Sequence, residues 1–204
     1  FARRAEPSAV AWQMKPLTSL AGWEVAPTWS PDGSLIAYSH AGEGTMDIYV
    51  KPTGGGDPVR LTKSPADEWP PRWSPDGRYI AYVADHGAGT SIYLIPPLGG
   101  AERMLAGTGI QSLERLVDSV GALGAMPWSP DGQELLFARL QPSGQIVLWK
   151  VNLTTAAQTQ VTHPPANADD VSACWSFDGQ QIVFVRKQDG RPGLWVLPAR
   201  GGEP

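Results

Sequence analysis

The 204-residue chain holds one cysteine, Cys174, so no internal disulfide can staple it and no thiolate cluster can hold a metal. It also lacks an excess of positive charge. Against 16 Lys and Arg stand 20 Asp and Glu, and the scattered basic residues give no footprint for a phosphate backbone, which excludes a nucleic-acid partner. Long apolar runs are missing too: the stretch 134–138 falls far short of the roughly 20 residues that a membrane helix needs. Only three histidines occur, His40, His86 and His163, without metal spacing and without a Gly-x-Ser-x-Gly elbow to complete a hydrolytic triad. Asp47, Asp85 and Asp189 are isolated acids, and Gly54-Gly55-Gly56 precedes neither a helix nor a Lys-Ser/Thr pair. The expectation is a protein that is not an enzyme and uses no metal or cofactor.

What the chain has in plenty is glycine, proline and tryptophan: 23, 20 and 9 residues, with 42% hydrophobic residues to build a core. The tryptophans head a repeat, at Trp29-Ser-Pro-Asp32-Gly33, Trp73-Ser-Pro-Asp76-Gly77, Trp128-Ser-Pro-Asp131-Gly132 and Trp175-Ser-Phe-Asp178-Gly179. Seven residues after each Trp stands an aliphatic residue (Ile36, Ile80, Leu135, Ile182), and two further on an aromatic one (Tyr38, Tyr82, Phe137, Phe184). A second apolar cluster follows, as Ile48-Tyr49-Val50, Ile92-Tyr93-Leu94, Leu148-Trp149 and Leu194-Trp195-Val196. Gly55-Gly56, Gly99-Gly100 and Gly201-Gly202 then recur, with Thr154-Thr155 in their place in the third unit, and Leu61-Thr62, Leu105-Ala106 and Val161-Thr162 close three units.

Each piece encodes local structure. In Ser-Pro-Asp-Gly the proline presets one φ, the aspartate bonds nearby backbone and the glycine takes the positive φ that follows, which predicts a tight hairpin. The segments after it are apolar at consecutive positions, as in strands covered on both faces. The Gly-Gly offset marks another turn before a short outer strand, giving about four strands per unit of roughly 45 residues, the size of a propeller blade. Such blades cover one another around a central channel, so Trp29, Trp73, Trp128 and Trp175 are expected between blades.

The pattern Leu-Thr, Pro-x-Trp-Ser-Pro-Asp-Gly-x-x-Ile-Ala-Tyr, Ile-Tyr-Val and Gly-Gly resembles the TolB-like branch of WD-type β-propeller repeats over nearly the whole chain. Unit three departs from it by lacking Gly-Gly, and unit four by Phe177 in place of proline. The resemblance implies an all-β propeller of four-stranded blades in a ring of six or seven. It also implies a periplasmic or otherwise extracytoplasmic setting and a protein or peptide partner. Similar repeats occur in periplasmic TolB, in sensor regions of bacterial transmembrane kinases and winged-helix regulators, and in propellers that gate prolyl oligopeptidase-like peptidases. All three roles are open at this point.

Residues 1–11 read as a linker, such as follows an upstream membrane anchor, and 12–204 as the propeller, with blades near 24–62, 68–106, 123–162 and 170–204. Residues 107–124 are an insertion in which Ile110, Leu113, Val117 and Val120 fall near helical spacing, predicting a short helix or an ordered loop. The last blade lacks an outer strand, whereas Met14-Lys-Pro-Leu-Thr18 is such a strand standing alone. Either residues 14–18 clasp a four-bladed ring shut or the four blades are part of a larger ring, and the second is favoured.

The candidate binding residues lie five positions before the head Trp, at Glu24, Glu68 and Asp170, with Asp67 and Asp169 beside two of them and Leu123 in the third unit. In a propeller these positions enter the innermost strands, so the carboxylates are expected to converge on one channel mouth and to favour a basic partner. Their mutual repulsion is expected to raise at least one pKa. Trp23, Trp69 and Arg72 would add rigid contact area. The competing expectation is that each acid merely bonds backbone at a loop corner.

Overall fold

A computed structural model describes residues 14–42, 44–112 and 126–200. Its fourteen strands make four antiparallel sheets in sequence order, and no helix occurs among the described residues. Blade 1 contains β1 (Trp23–Trp29), β2 (Leu35–Ala41), β3 (Met46–Pro52) and β4 (Val59–Arg60). Blade 2 contains β5 (Glu68–Trp73), β6 (Ile80–Asp85), β7 (Thr90–Ile95) and β8 (Arg103–Gly107). Blade 3 has β9 (Glu134–Leu140), β10 (Ile146–Asn152) and β11 (Gln158–Gln160), and blade 4 has β12 (Ala168–Trp175), β13 (Gln181–Gln188) and β14 (Arg191–Pro198). This is the expected all-β propeller architecture, as a partial ring.

Two strands depart from the four-per-blade expectation. The innermost strand of blade 3 shrinks to one bridge, Trp128 to Leu135, and blade 4 has no strand outside β14 among the described residues. Residues 14–18, expected as an outer strand or clasp, carry no strand, and Met14 is almost wholly exposed. The helical expectation for the insertion falls mainly on 113–125, which lie outside the described residues.

The turns form as their chemistry dictates. In blade 1 the Ser30 hydroxyl donates to Asp32 Oδ1 at 2.6 Å and accepts from Leu35 N at 2.9 Å, while Ser34 N donates to the same carboxylate at 3.0 Å. The bonds recur at Ser74–Asp76, Ser129–Asp131 and Ser176–Asp178, each 2.6 Å, so Phe177 does not disturb the fourth turn. The glycine that ends each turn has φ of 70° to 71°, a conformation that costs a side chain about 1–2 kcal/mol. The four carboxyls lie below the usual range, Asp32 at about 2, chiefly because the turn serine and then the next backbone N–H donate to them. At Asp76 burial works upward, but the bonds from Ser74 and Arg78 outweigh it.

Packing between blades is serial. Ala37, Ile48 and Val50 of blade 1 meet Trp73, Ile80 and Tyr82 of blade 2 in one apolar cluster, and a larger one joins blades 2, 3 and 4 through Val83, Leu94, Leu135, Phe137, Leu148 and Phe184. The head tryptophans link the innermost strands: Trp73, Trp128 and Trp175 donate from Nε1 to the carbonyls of Thr28, Arg72 and Pro127 at 3.2, 3.3 and 3.3 Å. The turns stack likewise, since a β-carbon placed on Gly77, Gly132 or Gly179 would lie 3.7, 3.5 and 3.5 Å from Cδ of Pro31, Pro75 and Pro130. Trp29 breaks the rule that head tryptophans are buried, being 61% exposed where Trp73 is 8% exposed. No blade precedes it among the described residues, and none of their carbonyls accepts from its indole as Thr28, Arg72 and Pro127 do from the other three. The blade assignment stands, and the expected burial of Trp29 does not.

Candidate functional site

Strands β1, β5 and β12 begin at one end of the assembly and run to their head Trp. Each is broken midway by a register shift, between Val25 and Thr28, Trp69 and Arg72, and Val171 and Cys174. Ala26 and Ser172 sit there at φ of 52° and 49°, a bulged geometry that re-aims the residues on either side. The sequence carries little signal for these bulges beyond the prolines at 27, 70 and 71.

The three aligned acids have the same cross-strand position but different partners, because the residue opposite differs. Asp170 faces Arg186, and the two form a buried bidentate pair at 2.7 and 2.8 Å. Glu68 faces Ala84, which offers it nothing; its Oε1 accepts from Ser64 at 2.7 Å while Oε2 is buried without a partner. Glu24 faces His40, whose Nδ1 is 4.0 Å from Oε1, and takes a hydrogen bond from the Thr18 hydroxyl. Glu68 and Asp170 are fully buried, so Glu24 is the one of the three with solvent access.

The neighbouring acids serve the backbone. Asp67 accepts from Met46 N and Asp169 from Ile146 N, both at 2.8 Å, so each ties the start of the third strand in the preceding blade to the next inner strand. This is the loop-corner bonding that competed with a binding role. Burial pushes the Glu68 carboxyl up, with Asp47 and Glu102 as the nearby charges that add to it. Desolvation is thus the chief cause at Glu68, and the acids that add to it are not Glu24 and Asp170, whose mutual repulsion was the expected cause.

The other candidates divide by exposure. Trp23 is 75% exposed at the very start of β1, while Trp69 and Arg72 are partly buried. The Arg72 guanidinium donates to the Pro71 carbonyl at 3.0 Å, and desolvation lowers its pKa. At the same end of blade 4 a cleft of about 580 Å³ opens between Arg186, Gln188, Asp189, Arg191 and Trp195. The Arg186 guanidinium lies 4.7 Å from the centre of the Trp195 ring, and blade 3 repeats the stack with Arg139 at 4.4 Å from Trp149. Sequence reasoning missed this cleft because its cation stands eleven residues after the head Trp, a position occupied by His40 and Ala84 in the first two blades. The groups at this end offer aromatic faces, a carboxylate and guanidinium donors.

Structures of similar fold include TolB from Acinetobacter baumannii, which matches with a TM-score of 0.68 and 18% identity over 89% of this chain and 42% of that one. A puromycin-hydrolyzing peptidase from Mycobacterium tuberculosis matches with a TM-score of 0.68 and 15% identity over 91% of this chain and 29% of its own. Dipeptidyl peptidase 4 from Porphyromonas gingivalis matches with a TM-score of 0.62 and 13% identity over 85% of this chain and 31% of its own. At these identities the likeness shows the fold alone, and the chain spans less than half the length of each of these proteins. The family model of the TolB beta propeller domain matches residues 9–114, just over half of the chain, and carries both complete four-stranded blades. The repeat, the serial blades and this match agree that the chain belongs to the TolB β-propeller domain family.

Proposed function

We propose that this propeller is a non-catalytic binding module that works outside the cytoplasm and holds a protein or peptide at the end where its innermost strands begin. The observation that carries the reading is Trp23. A large indole stands 75% exposed beside the solvent-accessible carboxylate of Glu24, while at the equivalent positions of blades 2 and 4 Asp67 and Asp169 are engaged in backbone bonds and Glu68 and Asp170 are buried. Exposed aromatic residues beside a charge are characteristic anchors of protein interfaces. The burial of Glu68 and Asp170 leaves the proposed contact surface to Trp23, Glu24, Trp69 and Arg72, and the partner's complementary group is a cation facing Glu24. Titration with a Lys- and Arg-rich peptide should show binding that weakens with salt and with the double substitution Trp23→Ala, Glu24→Gln. Unchanged affinity in that variant would overturn the site.

The peptidase neighbours favour a second reading, in which the module covers or selects substrates for a hydrolase on the same polypeptide. A Gly-x-Ser-x-Gly elbow encoded in the same reading frame would support it. Peptide binding with no such domain in the parent polypeptide would favour the first reading.

A further inference from the structure

The seam between blades 1 and 2 stays open at the end where the inner strands pass into their Ser-Pro-Asp-Gly turns. A hollow of about 300 Å³ lies there between Pro31, Asp32 and Leu35 of blade 1 and Trp73, Asp76 and Leu98 of blade 2. Both blades are complete and four-stranded, and Trp73 ties them together by donating from its indole to the Thr28 carbonyl. The hollow is at the opposite end of the inner strands from Trp23 and Glu24.

Two side chains set this seam apart from the next one. Leu35, six residues after Trp29, has Tyr79 as its counterpart six residues after Trp73. The Tyr79 ring packs against the apolar cluster of blades 2, 3 and 4, with the Arg78 guanidinium 5.8 Å from its centre. Leucine lacks that ring, so the first seam keeps room where the second is filled. Leu98 lies three residues after the cross-strand partner of Ile80, a register held by Gly54, Thr154 and Arg200 in the other blades. A single exposed leucine is ordinary, but Leu98, 89% exposed, forms a wall of this hollow. The rim is anionic. Asp32 accepts from Ser30 Oγ and Ser34 N, both neutral donors, and has no cation beside it among the described residues. Asp76 has only a loose one, with Arg78 Nε at 3.9 Å.

We propose that this hollow is a second binding site, which takes an aromatic side chain next to an arginine or lysine on a partner polypeptide, the ring between Leu35, Trp73 and Leu98 and the cation facing Asp32. The second seam supplies the template, since the chain's own Arg78 and Tyr79 do there what the partner's pair does here. Apolar walls with an uncompensated carboxylate at the rim select such a pair over an apolar group alone or an acidic segment. The site goes beyond the contact at Trp23 and Glu24, and neither depends on the other.

The test is a chemical-shift titration of the isotope-labelled whole chain with the capped peptide acetyl-Gly-Arg-Tyr-Gly-amide. Saturable shifts are expected at the Leu35 and Leu98 amides and at the Trp73 indole N–H. The same peptide with Glu for Arg, or Ala for Tyr, should bind at least about tenfold more weakly, and added salt should weaken the parent peptide. Leu98→Ser changes an exposed side chain, so it should keep the circular dichroism and melting temperature while weakening binding about tenfold. Leu35→Tyr, which copies Tyr79, should fill the hollow and abolish the shifts. Shifts confined to Trp23 and Glu24, equal binding of the Glu peptide, or affinity unchanged by Leu98→Ser would overturn the proposal. So would para-cresol binding as tightly as the peptide, which would make the hollow a site for a free ring.

Discussion

Strands β6 and β13 occupy the same place in blades 2 and 4 and come from the same repeat, yet their environments differ. In β6 five consecutive residues, Ile80 to Ala84, are buried, whereas in β13 burial alternates, with Ile182, Phe184 and Arg186 inside and their neighbours partly exposed. The difference is that blade 2 lies between two neighbours and blade 4 has one among the described residues. Trp73 and Trp29 repeat the contrast at the first strand. A propeller repeat therefore encodes two adhesive faces, and position in the series decides which of them is filled.

The contrast can be tested through substitutions of equal chemistry. Trp73→Ala should cost about 3–5 kcal/mol, as deletion of a large buried aromatic does. Trp29→Ala should cost far less; equal losses in urea midpoints would show that the two faces are equivalently packed. Next in size is the Asp170–Arg186 pair. Asp170→Asn should destabilise by about 3 kcal/mol because it strands a buried guanidinium, whereas replacing both residues with apolar ones should recover most of the loss. The exposed equivalent, Glu24→Gln, should be nearly silent in the same assay.

Smaller effects should erase the contrast, because the turns are alike in all blades. Gly33→Ala and Gly132→Ala should each cost about 1–2 kcal/mol from the positive φ alone. The Pro75 contact at Gly132 is an ordinary van der Waals distance, so a much larger penalty there would show that turn stacking is tighter than its geometry implies. The turn aspartates are depressed in the folded state, so the stability they contribute is complete above the unfolded carboxyl pKa near 4 and is lost as pH falls towards about 2. Acid melts of Asp32→Asn and Asp131→Asn should lose the same share of that transition. Glu68 has the opposite sign: its pKa is raised, so it detracts from stability as pH rises through the carboxylate range, and Glu68→Gln should flatten that part of the profile.

Much of this was legible without coordinates. The Ser-Pro-Asp-Gly turns, the blade count and the serial order follow from local chemistry and from spacing, since a turn serine, aspartate and glycine interact within a few residues of one another. The acid positions were legible as an alignment but not as a site. Whether an acid is free depends on the residue across the strand, and Arg186, Ala84 and His40 lie about sixteen residues away, with no signal in the repeat to mark the difference. Backbone bonding by Asp67 and Asp169 is legible from their place at the loop corners, but its targets, Met46 N and Ile146 N in the preceding blade, are not.

The sequence by itself determined the blade, because every element of the hairpin and its register is carried by residues close along the chain. Only the tertiary structure decided which of four equivalent tryptophans is buried and which of three aligned acids keeps access to water. Those outcomes depend on what neighbouring blades place against each surface, and burial is a property of that pairing rather than of the residue.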